Sequence, residues 1–394
     1  MSLPESKFEG FIQGDYQFSE LITSILPGEP SQYTIAVLIS VFLKSEGASR
    51  VAEVQAKKLS KMGYSVVVYT FESDISPRGY RVEIIDSWVQ THVPRLVKPY
   101  RALFPLNRWK SLKISSDLKE ASLIILHQET LVSAAYLAKK YYGAKLIFWH
   151  HHIAESRFMT LEERVYNLVV SPFNWRKIKK FDFVVSISEH SKNVLRSEKG
   201  IDSLVIYDEI DSDRFNEGNL NGTTIRTKYN IAADDPVILF VGRLTPTKNI
   251  HSLISAFKIV KARIPRAKLI IVGGSYDKRY AEYLMRDCDP GVIFAGFVPD
   301  DDLPDYYAAC DVYATCSLVE GFNLPLVEAQ AYGKPVVAFD IGPHKEVVKN
   351  GFLVTEEHLN EFGETLINIL DNLDKTPQTP KLWYMAADDQ NDAV

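Results

Sequence analysis

The sequence predicts an α/β protein made of two doubly wound parallel-sheet domains, and three observations carry that expectation. Short apolar runs rich in Val and Ile recur along the chain, each followed by a longer segment of helical character. These runs are apolar at nearly every position rather than at alternate ones, the pattern of strands covered on both faces, as in parallel sheets. At 394 residues the chain is also too long for one typical domain, and the alternation stops once and restarts.

In the first half the runs are TIAVLISVF, YSVVVYTF, ASLIILH, AKLIFWHH, FDFVVSIS and SLVIY, which places one domain at residues 31–210 after an N-terminal extension, residues 1–30. Residues 211–234 fall in an acidic, Asn- and Gly-rich stretch with no sustained period and read as a linker. The alternation restarts with PVILFVG, AKLIIVGG, GVIFAGFV, DVYATCS and KPVVAFDIG, giving a second domain at residues 235–372. Residues 373–394 lack pattern and read as a loosely held tail. Sheets of this kind bind ligands at the carboxyl ends of their strands, so function is expected in a cleft where the two domains face each other.

Composition narrows the function classes. The chain is 46% hydrophobic and 24% charged, ordinary for a globular protein, and a net charge of −5 gives no reason to expect nucleic acid. Cys288, Cys310 and Cys316 have no metal-ligand spacing and read as core thiols of a reducing compartment. The longest apolar run, TIAVLISVFL, has ten residues, against the roughly 20 of a membrane span. With no secretory signal in MSLPESKFEGF, the expected location is the cytoplasm.

The segment SLVEGFNLPLVEAQAYG, residues 317–333, sets Glu320 and Glu328 eight positions apart around a glycine and a proline. Structurally it needs only a turn and an amphipathic helix: Pro325 suits the first turn, and Leu326, Val327, Ala329 and Ala331 can pack inward. That leaves Gly321 and Asn323 before the helix, where backbone N–H groups and the helix dipole make an anion site. An anion site with two carboxylates able to bind hydroxyls suggests a sugar nucleotide. In FVGRLTPTKN, Arg243 and Lys248 stand on a loop at a strand's carboxyl end, where they can hold a diphosphate or simply be solvated.

In the first domain Gly47 opens a helix carrying Val51, Leu59 and Met62, with Gly63 as its stop. It reads as a turn glycine or as a point of close approach for a phosphate or an acceptor. His150, His151 and His152 end a strand; neighbours on extended chain alternate in direction, so the three do not chelate one metal, and one of them faces the cleft. Residues 91–113 hold Arg95, Lys98, Arg101, Arg108, Lys110 and Lys113 without an acid, interleaved with Tyr100, Phe104 and Trp109. That mixture fits either a solvated helix pair or an interfacial segment on anionic lipid, and WRKIKK at residues 175–180 favours the membrane.

In this order the pieces resemble the family 4 (group 1) glycosyltransferases, retaining enzymes with the GT-B fold of two Rossmann-like domains. The matching stretches include EGASRVAEVQAKKLSKMGYSVVVYT, VSISEHSKNVL, VGRLTPTKNIHSLISAF and VIFAGFVPDDDLPDYYAACDVYATCSLVEGFNLPLVEAQAYGKPVVAFDIG, the last carrying the E-x7-E motif. The resemblance implies that Glu328 binds the ribose hydroxyls and that Glu320 lies near the donor sugar. It implies that N–H groups around Phe322, Asn323 and Leu324 hold the leaving diphosphate together with Arg243 and Lys248. Gly47 corresponds to the family's glycine loop near the diphosphate, and His151 best fits its strand-end histidine, with His150 and His152 alternatives by a shift of one. No metal or other cofactor is implied.

The implied reaction moves a hexose, from GDP-mannose or UDP-glucose, to a glycan or lipid-linked acceptor with retained configuration. The competing readings are a non-catalytic nucleotide- or glycan-binding homologue or partner subunit, and a sugar nucleotide epimerase. Three departures from the family pattern stand out. YDEIDSDRF carries carboxylates expected near the donor, His344 occupies a position where a small residue is common, and no closing helix is visible after Asp374.

Overall fold

The computed structural model describes residues 17–85, 97–151, 156–211, 221–275, 277–286 and 288–372, and the chain divides into two compact units between Asp208 and Glu209. Both are α/β, as predicted.

The first unit runs α1 (Phe18–Ile25), β1 (Thr34–Leu38), α2 (Gly47–Lys61), β2 (Ser65–Thr70), β3 (Arg81–Ile84), α3 (Val97–Leu103), α4 (Arg108–Asp117) and β4 (Leu123–Leu126). It continues with α5 (Val132–Tyr142), β5 (Lys145–His150), α6 (Leu161–Val169), α7 (Ser171–Ile178), β6 (Phe183–Ser186), α8 (Glu189–Lys199) and β7 (Leu204–Val205). The strands form one parallel sheet in the order β3-β2-β1-β4-β5-β6-β7. Alternate residues of the central strands, among them Leu38, Leu126 and Phe148, meet Leu131, Ala135 and Ala138 in one core. Helix α5 stops at Gly143, whose φ of +79° suits a residue without a Cβ.

The second unit runs α9 (Gly222–Lys228), β8 (Val237–Val241), α10 (Ile250–Arg263), β9 (Lys268–Val272), α11 (Lys278–Met285), β10 (Val292–Gly296), α12 (Leu303–Ala309) and β11 (Val312–Thr315). It closes with α13 (Leu324–Ala331), β12 (Val336–Phe339), α14 (His344–Val347), β13 (Gly351–Val354) and α15 (Leu359–Asp371). Its parallel sheet has the order β10-β9-β8-β11-β12-β13. One core joins Ile238, Phe240 and Ile271 to Phe257 of α10 and to Phe362, Leu366 and Leu370 of α15. At the carboxyl ends of β8 and β9 the backbones nearly touch: a Cβ on Gly273, at φ +142°, would lie 1.9 Å from the Gly242 carbonyl oxygen.

In both sheets the strand order reverses beside the first strand, at β1/β4 and at β8/β11. Loops leaving such a pair in opposite directions open a crevice for ligand.

The structure adds detail to two of the expected segments and two strands to the sheets. Eight residues of the expected N-terminal extension form α1, which buries Phe18, Leu21 and Ile22; the Phe18 ring meets the Trp149 ring edge-on at 5.5 Å. The expected linker holds α9, whose Ile225 is buried and whose Arg226 ties it to Asp311 at 3.1 Å, so this part belongs to the second unit. Strands β3 and β13 were not expected as strands; both lie at sheet edges. Residues 212–220 of the linker and the tail, residues 373–394, lie outside the described residues.

Candidate nucleotide-sugar site

Glu320 and Lys248 meet where the loops leaving β11 and β8 come together. The Leu318 amide donates to the Thr247 carbonyl at 2.9 Å, joining the two loops, and Lys248 Nζ lies 2.5 Å from Glu320 Oε1. Lys248 is therefore an ion-paired side chain, 19% exposed, rather than a solvated loop cation. Burial alone pushes the Glu320 carboxyl up, but the Lys248 ammonium, the His344 ring and hydrogen bonds from Lys248 and Ser317 outweigh it, and the net shift is downward. Glu320 is thus a carboxylate at neutral pH. Arg243, on the same loop as Lys248, is exposed.

Helix α13 begins on Asn323, which has left-handed backbone, φ +75°. Its side chain does not cap the helix; it donates from Nδ2 to His344 Nε2 at 2.8 Å. His344 is fully buried and directs Nδ1 to the Phe339 carbonyl at 2.7 Å. Nδ1 must carry the proton to make that bond, which leaves Nε2 as the acceptor that Asn323 needs. Burial pushes the His344 pKa down against the pull of Glu320 and the Phe339 carbonyl, favouring this neutral form. The departure from a small residue at this position thus has a physical reason: His344 pins the strained residue at the start of α13. Pro325 has no N–H to offer and the Leu326 amide donates to the Asn323 carbonyl at 3.0 Å, so of the first turn it is the Leu324 amide that has no acceptor within the helix, while the Phe322 side chain is buried.

Glu328, one turn further on, is only 4% exposed. The Tyr307 hydroxyl donates to its Oε2 at 2.8 Å, and the Tyr307 ring stacks on Tyr332 at 5.2 Å. The apolar positions expected to face inward do so: Leu326, Val327 and Ala329 are fully buried. Two partners were invisible to sequence reading, Tyr307 and the role of His344, because each meets its carboxylate or amide from another element of the unit.

In the first unit Gly47 is the first residue of α2, at the end of the loop that leaves β1. Buried Ser49 laces this loop, donating to the Val41 carbonyl at 2.9 Å and accepting from the Leu43 amide at 3.1 Å. A Cβ on Gly47 would meet nothing within 4 Å. The histidines alternate as their extended chain requires. His150 is buried with its ring edge-on to Trp175 at 6.1 Å, whereas partly buried His151 turns to His127, Nε2 to Nδ1 at 2.9 Å, with the rings stacked at 5.2 Å. His127 follows β4, where Gln128 Oε1 accepts from the Ser40 amide at 3.0 Å and joins the loops leaving β1 and β4. Burial, with His151 adding, holds His127 well below its ordinary value, and burial pushes His151 down to about 4. His152 lies outside the described residues.

Two further sequence features take a definite form. Asp208 of YDEID is buried and accepts from the Trp149 indole N–H at 3.2 Å, so its carboxylate is held in the core of the first unit. In the basic stretch Arg101 pairs with Glu72 at 2.8 Å, and the side chains of residues 91–99 lie outside those described; Trp109 is 85% exposed. Among the described residues no group of three or more His, Cys, Asp or Glu side chains is placed to hold a metal ion, and no helix is long and apolar enough to cross a membrane.

Comparison with known proteins agrees with this geometry. The family described as Glycosyltransferase Family 4 matches residues 45–214, and that described as Glycosyl transferases group 1 matches residues 221–380. A GDP-mannose-dependent alpha-(1-6)-phosphatidylinositol monomannoside mannosyltransferase from Mycobacterium tuberculosis is 28% identical over 208 residues, covering 49% of this chain and 54% of that protein, so the match spans about half of that relative. The amylovoran biosynthesis glycosyltransferase AmsD from Erwinia amylovora is 27% identical over 350 residues, covering 86% and 90%. The fold is similar to that of HepE from Anabaena, solved with UDP and glucose, with a TM-score of 0.69 at 22% identity over 87% of this chain and 91% of that one. With one family matched in each unit and two parallel-sheet units of this topology, the chain belongs to the family 4, group 1 glycosyltransferases and has the two-domain GT-B fold.

Proposed function

We propose that the chain transfers a hexose from a nucleotide sugar, GDP-mannose or UDP-glucose, to a glycan or lipid-linked acceptor, with retained configuration and without a metal ion. The observation that carries this reading is the Lys248–Glu320 pair at the β8/β11 crevice, set beside the start of α13. Fixed cations and helix amides at a crevice supply what a departing diphosphate needs as its charge grows. Lys248 and Arg243 take the phosphate oxygens, the amides around Phe322, Asn323 and Leu324 take more, and Glu328 receives the ribose hydroxyls. Glu320, ionised and held by Lys248, sits beside the sugar. In the first unit, Gly47 lets a phosphate approach the backbone closely and His151 offers a ring nitrogen to a sugar. The mannosyltransferase and HepE relatives support a nucleotide-sugar donor. For a lipid-linked acceptor, the exposed Trp109 among Arg108, Lys110 and Lys113 provides a point of contact with anionic lipid.

The test is nucleotide release. Purified chain incubated with GDP-mannose or UDP-glucose and a glycan acceptor should release nucleotide, and the matching nucleoside diphosphate should raise its melting temperature. Glu320→Gln should lower turnover far more than donor affinity, since shape is kept and charge is lost. A chain that is stabilised by a nucleotide yet never releases one from any donor would instead be a non-catalytic homologue.

A further inference from the structure

Helix α6 carries apolar side chains that the fold does not use. None of its residues is buried: Leu161 and Leu168 are 78% and 80% exposed, and Val165 and Val169 are exposed with them. At 3.6 residues per turn these four fall on one stripe, within an arc of about 100°. The helix is held from another side. The Tyr166 hydroxyl donates to Glu129 Oε2 at 3.4 Å and accepts from Asn174 Nδ2 at 3.0 Å. Thr160 and Glu163 form a capping box at its start. The stripe therefore points outward from a fixed helix.

The first turn of α6 carries Glu162 and Glu163, but beyond them the surroundings are basic. Arg164, Arg176, Lys177, Lys179 and Lys180 occur between Glu163 and Asp182 with no acid among them. Lys177 is engaged by Ser133 Oγ at 2.7 Å, but Arg176, Lys179 and Lys180 are exposed. Exposed Phe173 on α7 stands beside Arg176, whose guanidinium lies 5.7 Å from the ring centre. Helix α3 packs on the turn Glu129–Leu131, the same turn that receives Tyr166, so the exposed Leu103 of α3 and the α6 stripe flank one turn.

We propose that the α6 stripe, with Phe173, docks on a bilayer bearing anionic lipid, its Leu and Val side chains entering the interface and Arg176, Lys179 and Lys180 lying over the headgroups. Charge decides the occupant. A two-fold pairing with a second copy would set this basic rim against itself, whereas apolar insertion flanked by cations matches an anionic interface. This rests on the lipid contact proposed above but adds a second element to it.

The test is co-sedimentation of the full chain with phosphatidylcholine vesicles, with and without phosphatidylglycerol. Leu161→Ser/Leu168→Ser should lower the partition onto anionic vesicles at least about tenfold. Arg176→Ala/Lys179→Ala/Lys180→Ala should remove most of the dependence on phosphatidylglycerol. Both variants should keep the wild-type nucleotide-induced rise in melting temperature, which shows that they are folded and is read separately from lipid binding. Three results overturn the proposal: a wild-type chain that ignores vesicles, a leucine variant that binds them as well as wild type while Trp109→Ala does not, or a leucine variant that changes the oligomeric state without lipid. Absence of any nucleotide response in the wild type would sink the transferase reading and leave the vesicle result standing.

Discussion

Gly47→Ala separates folding from function at one atom. Gly47 is the first residue of α2, it does not adopt positive φ, and an added methyl meets nothing within 4 Å. Replacing glycine by alanine at a compatible position reduces the freedom of the unfolded chain and gains about 0.4–1 kcal/mol. For a unit of this size that raises the melting temperature by about 1–4 °C. If Gly47 is where the diphosphate passes close to the backbone, the same methyl displaces it, and misplacement by about 1 Å costs on the order of 10²-fold in kcat/KM. The expected variant is therefore slightly more stable and much less active, measured by thermal unfolding and by nucleotide release. Full activity would show that no ligand approaches this Cα. Lowered stability would show that packing, not ligand, requires the glycine. Gly273→Ala is the contrast: its methyl collides with the Gly242 carbonyl, so it should unfold the second unit.

Lys248→Ala leaves Glu320 with its carboxylate buried and its ammonium gone. Because Lys248 is 19% exposed, the loss in urea unfolding should be about 2–3 kcal/mol, below the 3–5 kcal/mol of a fully buried pair, and adding Glu320→Gln should recover part of it; a loss under about 0.5 kcal/mol refutes the pairing. Tyr307→Phe removes the donor to Glu328 and should weaken nucleoside diphosphate binding in calorimetry, with about 1–3 kcal/mol of stability lost; unchanged affinity would separate Glu328 from the nucleotide. Stability should also fall as pH drops from 6.5 toward about 4, because His127, His151 and His344 all protonate more readily unfolded than folded. Each such histidine contributes a slope of up to about 1.4 kcal/mol per pH unit. His127→Phe should flatten that slope, and an equal slope would count against the buried pair. Glu320 acts in a lower window: its contribution is whole above 4.5 and is lost as pH falls through its depressed folded value.

What the sequence revealed follows from how each element is buried. The central strands are apolar throughout and could be read directly, as could the helix on residues 324–331. Strand β3 reads RVEI and is mostly exposed, so an edge position left no apolar run to notice. Helix α1 does carry a signal, Phe18, Leu21 and Ile22 at helical spacing, but eight residues ahead of the first strand are too short a window for periodicity to stand out. Helix α9 shows one apolar anchor, Ile225, and is otherwise fixed by contacts of Arg226 that no local pattern encodes. At the candidate site the carboxylates, cations and glycines were legible because their chemistry is unusual on a loop. Their partners were not: His127 lies 24 positions from His151 and Tyr307 lies 21 from Glu328, and only the folded sheet and helices bring them within 3 Å.

The bond between Trp149 and Asp208 fixes where the first unit can be cut from the second. Asp208 is its last residue, yet its carboxylate is buried and holds the indole of a central strand. A first unit expressed only as far as residue 207 would strand that indole N–H in the core, a penalty of about 1–3 kcal/mol. One ending at Asp208 or beyond keeps it.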